Sequence, residues 1–133
     1  MSSTSVWFRD RKFSAYDLAI ELWLLEVVNQ IDNGEVIDPW RKELRDEWHL
    51  QATAGFGFGP TPDLDHFVTT NVKRDRVREL FVKALDSLAK RSDHYSAEEL
   101  QRSGAGGPYS NYSGAFATQW VIEVGQQCLS LLS

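Results

Sequence analysis

The sequence predicts an all-α fold: a single-domain bundle of four main helices plus one short helix, with two long loops. Three observations predict it. Apolar residues recur at helical spacing, as in Trp40, Leu44 and Trp48, or in Val77, Leu80, Phe81, Ala84, Leu85 and Leu88. Start and stop signals bracket these runs, among them Asp38-Pro39, Ser96 with Glu99, and Asp32-Asn33-Gly34. No hairpin signature is present, so strands are expected at most as a pair at the edge.

One domain is expected to span residues 1–133, with residues 1–5 frayed and Val6-Trp7-Phe8 laid across the bundle as a short extended segment. Ser14 and Asp17 resemble a capping pair, so the first helix should run from Ala15 to about Ile31. It is apolar almost all round, as befits a central helix. At about 100° per residue, Asp17 and Glu21 share one edge and Glu26 lies opposite, which makes Glu26 the best candidate for a buried carboxylate. The second helix is expected from Pro39 to about Ala54. A first loop follows from Gly55 to about Thr70, in which Phe56 and Phe58 should tuck into the core. The third helix is expected from Val72 to Arg91, and the capping box of Ser96 and Glu99 opens a short helix to about Arg102. After the second loop, Ser103 to Ser113, a last helix from Ala115 to Leu132 carries Phe116, Trp120, Val121, Val124, Cys128, Leu131 and Leu132 on one side.

Composition narrows the function classes. The chain has 133 residues, is 42% hydrophobic and holds 5 Trp, 7 Phe and 4 Tyr, enough for a well-supplied core. A net charge of -5, and basic runs interleaved with acids at Arg9–Lys12 and Lys73–Glu79, speak against nucleic acid as a partner. The lone Cys128 excludes an internal disulfide framework. With no signal peptide and no apolar stretch long enough for a membrane span, a cytoplasmic protein without membrane contact is expected.

No complete catalytic, metal or nucleotide motif is present, so no catalytic residue, metal ligand or cofactor is assigned. The glycine-rich run Gly55–Pro60 follows a helix and lacks the lysine and Ser/Thr of a phosphate-binding loop. His49, His66 and His94 lie in separate segments without ligand spacing. Cys128 sits on an apolar helix face, as an inert core thiol does. An alternative reading, a small helical enzyme or ligand-binding bundle assisted by a metal, would use Glu26, His49 and His66 in a pocket beneath Phe56 and Phe58. The Trp40–Leu44–Trp48 stripe offers a surface for self-association.

Two loops and one helix face could recognise a partner. Asp63, Asp65 and His66 lie in the first loop, Glu43, Asp46 and Glu47 on the wet face of the second helix, and Tyr109, Asn111 and Tyr112 in the second loop. In being small, acidic, single-domain and aromatic-rich, without a catalytic signature, the chain resembles the immunity proteins of bacterial toxin systems. The likeness is one of type, carried by no single motif. It implies a cytoplasmic antidote that binds and neutralises a basic toxin domain through those acidic groups, with Tyr109 and Tyr112 as aromatic anchors.

Overall fold

The computed structural model describes residues 2–34, 38–55 and 59–133. The expected fold class does not hold. Helices predominate, but two small antiparallel sheets accompany them, so the chain is not all-α. In chain order the elements are β1 (Ser3–Phe8), β2 (Arg11–Tyr16), α1 (Asp17–Asp32), α2 (Pro39–Thr53), α3 (Leu64–Phe67), α4 (Asn71–Lys90), β3 (His94–Tyr95), α5 (Ala97–Ser103), β4 (Phe116–Ala117) and α6 (Thr118–Leu131).

Residues 3–5, expected to fray, are strand residues: Ser3, Thr4 and Ser5 pair with Tyr16, Ala15 and Ser14. Alternation explains the hairpin. Val6 and Phe8 of β1, with Phe13 and Ala15 of β2, turn toward the core, while Ser5, Trp7, Lys12 and Ser14 turn to solvent. The expected cap at Ser14 is therefore absent. Its hydroxyl lies 2.9 Å from that of Ser5 across the strands. The other half of that expected pair, Asp17, accepts hydrogen bonds from the hydroxyls of Ser2 and Thr4, at 2.7 and 2.5 Å, and α1 starts there. The last helix also begins later than expected, at Thr118, because Phe116 and Ala117 pair with Tyr95 and His94.

The remaining helix signals hold. The Asp38 carboxylate accepts from the Arg41 N–H at 2.9 Å with Pro39 in the first turn. Ser96 and Glu99 form a reciprocal capping box at 3.1 and 3.2 Å. Arg91, just past α4, joins three elements: its guanidinium lies 3.5 Å from the Tyr95 ring centroid and donates to Glu99 and to the Thr118 hydroxyl. Desolvation pushes the Tyr95 phenol up to about 12.

α1 is the central helix, packed against α2, α4 and α6. The core's spine is aromatic. Phe81 of α4 lies between Trp23 of α1, at 5.3 Å, and Trp48 of α2, at 6.0 Å. Cys128 is buried, and burial pushes its thiol up, so it remains protonated and inert. Trp120, expected on the apolar side of the last helix, is instead 42% exposed. No described helix is long and apolar enough to cross a membrane.

Candidate functional site

The aromatic stripe of α2 builds the site. Leu44 and Trp48 are fully buried and Trp40 is half-buried, so the stripe packs mainly into the chain's own core. Its indoles hold the next segment in place. The Trp48 N–H donates to the Pro62 carbonyl at 2.6 Å, and the Trp40 N–H donates to the Phe67 carbonyl at 3.1 Å. These two bonds lay residues 62–67 alongside α2. The wet face of α2 thereby meets α3, and Glu43, Asp46, Glu47, Asp63 and His66 line one groove of about 420 Å³ with Leu50 and Phe67.

Within the groove, His66 Nε2 lies 3.5 Å from Glu43. Glu47 accepts from the Gln51 amide at 3.0 Å. The Asp46 carboxyl is held below its ordinary range, chiefly by a hydrogen bond from Lys42 at 2.7 Å. Asp63 is in the left-handed region at φ 48, a conformation that costs a non-glycine residue about 1 kcal/mol or more. Its side chain caps nothing, although it precedes a helix. Leu50 exposes 46% of its surface at the groove, an apolar floor beneath the charges.

Five of the nine residues assigned to partner binding thus come together, and four do not line this groove. Asp65 is engaged within the fold, accepting from the backbone N–H of Arg9 in the hairpin turn at 2.8 Å. Tyr112 is no free anchor, since its hydroxyl donates to the Ala105 carbonyl at 2.6 Å. Gln101 pins the same loop by bonding the Ser110 carbonyl and the Tyr112 N–H. Asn111 is exposed on that loop, and Tyr109 is bare to solvent, 97% exposed. The two loops also meet each other. Gly55, at φ 66, and Gly107, at φ 96, approach so closely that a Cβ on Gly107 would lie 2.8 Å from the Gly55 Cα.

The buried carboxylate is Glu21, not Glu26. Glu26 is only half-buried and accepts from Gln30 at 3.4 Å. Glu21 is 9% exposed beneath the second loop, near the Gly106 N–H and Tyr112. The edge assignment from helical geometry was sound, but that edge is covered by a loop whose course the periodicity of α1 does not encode. Desolvation, reinforced by Asp17 and opposed by the Gly106 N–H, pushes the Glu21 carboxyl from 4.5 up to about 7. Below pH 4.5 the group is protonated in both folded and unfolded chains. As pH rises toward 7 the unfolded chain ionises first, so stability falls, and above 7 the cost is constant. Glu21→Gln should therefore stabilise the fold at pH 8 by roughly 2 kcal/mol, after discounting for partial hydration, and change little at pH 4. Urea unfolding of both proteins at the two pH values checks this.

Glu26, His49 and His66 are not united in a pocket. Glu26 lies near Tyr95, His49 is exposed on α2, and His66 faces Glu43. Among the described residues no group of three or more His, Cys, Asp or Glu is placed to hold a metal ion. Phe56 and Phe58, expected to roof that pocket, lie outside the described residues. Compared with protein-family models, curated proteins and solved structures, the chain matches none.

Proposed function

We propose that the chain is a protein-binding module whose α2–α3 groove receives a basic surface of a partner. The convergence of Glu43, Asp46, Glu47 and Asp63 around exposed Leu50 carries this reading. Acidic groups at a rim accelerate encounter with a basic surface, and the apolar floor supplies contact area that charge alone does not. The left-handed backbone at Asp63 supports it further, because strained residues concentrate at functional positions. The likeness in kind to immunity proteins makes a toxin domain the partner class, with the chain as its antidote.

Capture from the native cells tests this, using the wild-type chain and the variant Glu43→Lys/Glu47→Lys/Asp63→Lys side by side. A stoichiometric basic partner held by the wild type and lost by the variant is expected. If that partner arrests growth when expressed alone, and the wild-type chain restores growth, the antidote role follows. Equal capture by both proteins would remove the groove from the account.

A further inference from the structure

A second surface lies on the far side of the hairpin from α3. β1 faces α3, to which the Arg9 N–H is tied through Asp65. Among the described residues β2 has no strand on its other edge. The Asp17 N–H donates to the Ser2 carbonyl at 3.0 Å, which fixes the alternation of the ladder. By the observed register, Arg11, Phe13 and Ala15 bond to β1, and Lys12, Ser14 and Tyr16 direct their backbone N–H and C=O groups away from it. An open edge of this kind is a template for another strand.

Beside β2 runs α6, which also packs against β1, and the recess at Tyr16 reaches Ser3 of β1. Two recesses, of about 330 and 360 Å³, share Gln127 and together involve every residue of β2. Their other wall is one stripe of α6 that includes Trp120, Glu123, Gln127 and Leu131. The groove is polarised. At one end Trp120 and Tyr16 are each about two-fifths exposed, with ring centroids 5.3 Å apart, beside Glu123. At the other stand Lys12 and Arg11. Arg11 donates to the Leu131 carbonyl and Lys12 lies over the Trp7 ring, but neither Lys12 nor Glu123 has an oppositely charged partner among the described residues.

We infer that an extended peptide segment of another protein docks in this groove as a third strand, antiparallel to β2, with an apolar side chain at Tyr16 and Trp120 and an acidic one at Lys12. The antiparallel direction runs the peptide from the Glu123 end toward Arg11 and Lys12, so an acidic side chain late in the segment meets the basic end. Tyr16 and Lys12 are four residues apart on one face, so the acidic residue follows the apolar one by four positions. Main-chain bonds supply affinity and the two end groups supply selectivity. This surface is separate from the acidic groove and stands whether or not that groove binds a partner.

The probe is a pool of fluorescent nonapeptides with Leu, Val or Phe at the third position, Asp or Glu at the seventh, and Ser or Thr elsewhere. Saturable binding to the full chain below about 1 mM is expected. N-methylation of alternate peptide residues should weaken binding more than about tenfold in one phase and little in the other, a pattern only strand pairing produces. Lys12→Glu should lose the acidic peptides and gain the same peptides with Lys in place of the acid. Ser14→Pro removes an outward donor without touching the main-chain ladder to β1 and should abolish binding, whereas Ser14→Ala, which loses only the hydroxyl shared with Ser5, should keep it. No saturable binding, or equal affinity in both N-methylation phases, overturns the inference. So does a concentration-dependent dimer of the wild type that Ser14→Pro dissolves, which would assign the edge to a second copy.

Discussion

Phe81→Ala should cost roughly 3–5 kcal/mol, a large share of the 5–15 kcal/mol that holds a small domain together. Phe81 is 1% exposed and stands between two tryptophans that are themselves fully buried. Trp23 meets it edge-on, at an interplanar angle of 63°, and Trp48 meets it nearly stacked, at 27°. Truncation removes the ring that joins α1 to α2 through α4, and two rigid indoles cannot collapse into the space. Leucine should retain much of the stability, because most of the volume remains. The urea midpoint should fall with an unchanged slope, which separates lost stability from a change in the unfolded chain. A loss below about 1 kcal/mol would mean that the three rings are not the spine of the core.

The second large effect is steric. A Cβ on Gly125 of α6 would lie 2.5 Å from the Trp23 ring and 2.7 Å from a Leu85 methyl, closer than packed carbons tolerate. Gly125→Leu should therefore destabilise the fold by about 3 kcal/mol or more, although leucine is the better helix former by nearly 1 kcal/mol. Glycine in mid-helix is thus explained by the close approach of α6 to Trp23, not by backbone freedom. Trp23→Leu opens the same space, so the double variant should be more stable than the sum of the two single losses predicts. Additive losses would show that the contact between Gly125 and Trp23 does not limit packing.

Both effects concern helices that the sequence announces clearly. The stripe Trp40–Leu44–Trp48, the periodicity from Val77 to Leu88, Asp38-Pro39 and the Ser96–Glu99 box each state a local preference that tertiary packing keeps. The hairpin was hidden by its turn. Two-residue hairpin turns need positive φ and are usually marked by Asn-Gly, whereas here Arg9 adopts φ 56 and Asp10 follows it. Ser14 and Asp17 misled for a related reason: side chains that can cap a helix can equally bond across a hairpin to Ser5, Ser2 and Thr4.

The site was legible in part for the same physical reason. Glu43, Asp46 and Glu47 share the wet face of a helix, and Asp63 and His66 lie in one loop, so each group could be read locally. Their meeting depends on two indole N–H bonds to Pro62 and Phe67, contacts between segments that no local pattern encodes. Tyr112 and Asp65 were the right kinds of residue but are engaged inside the fold, Tyr112 by Ala105 and Asp65 by Arg9. Glu21 escaped notice because its burial comes from the loop carrying Gly106 and Tyr112, not from its own helix.

If the α2–α3 groove docks a basic partner, association kinetics should carry the signature of its acidic rim. The partner captured with the wild-type chain is purified and mixed with that chain and with Glu43→Lys/Glu47→Lys/Asp63→Lys, at about 50 mM and about 300 mM salt. The wild-type rate constant should fall steeply with salt, and the variant should associate at least about tenfold more slowly at low salt with little salt dependence. Equal rates for the two proteins at low salt would show that the partner docks elsewhere.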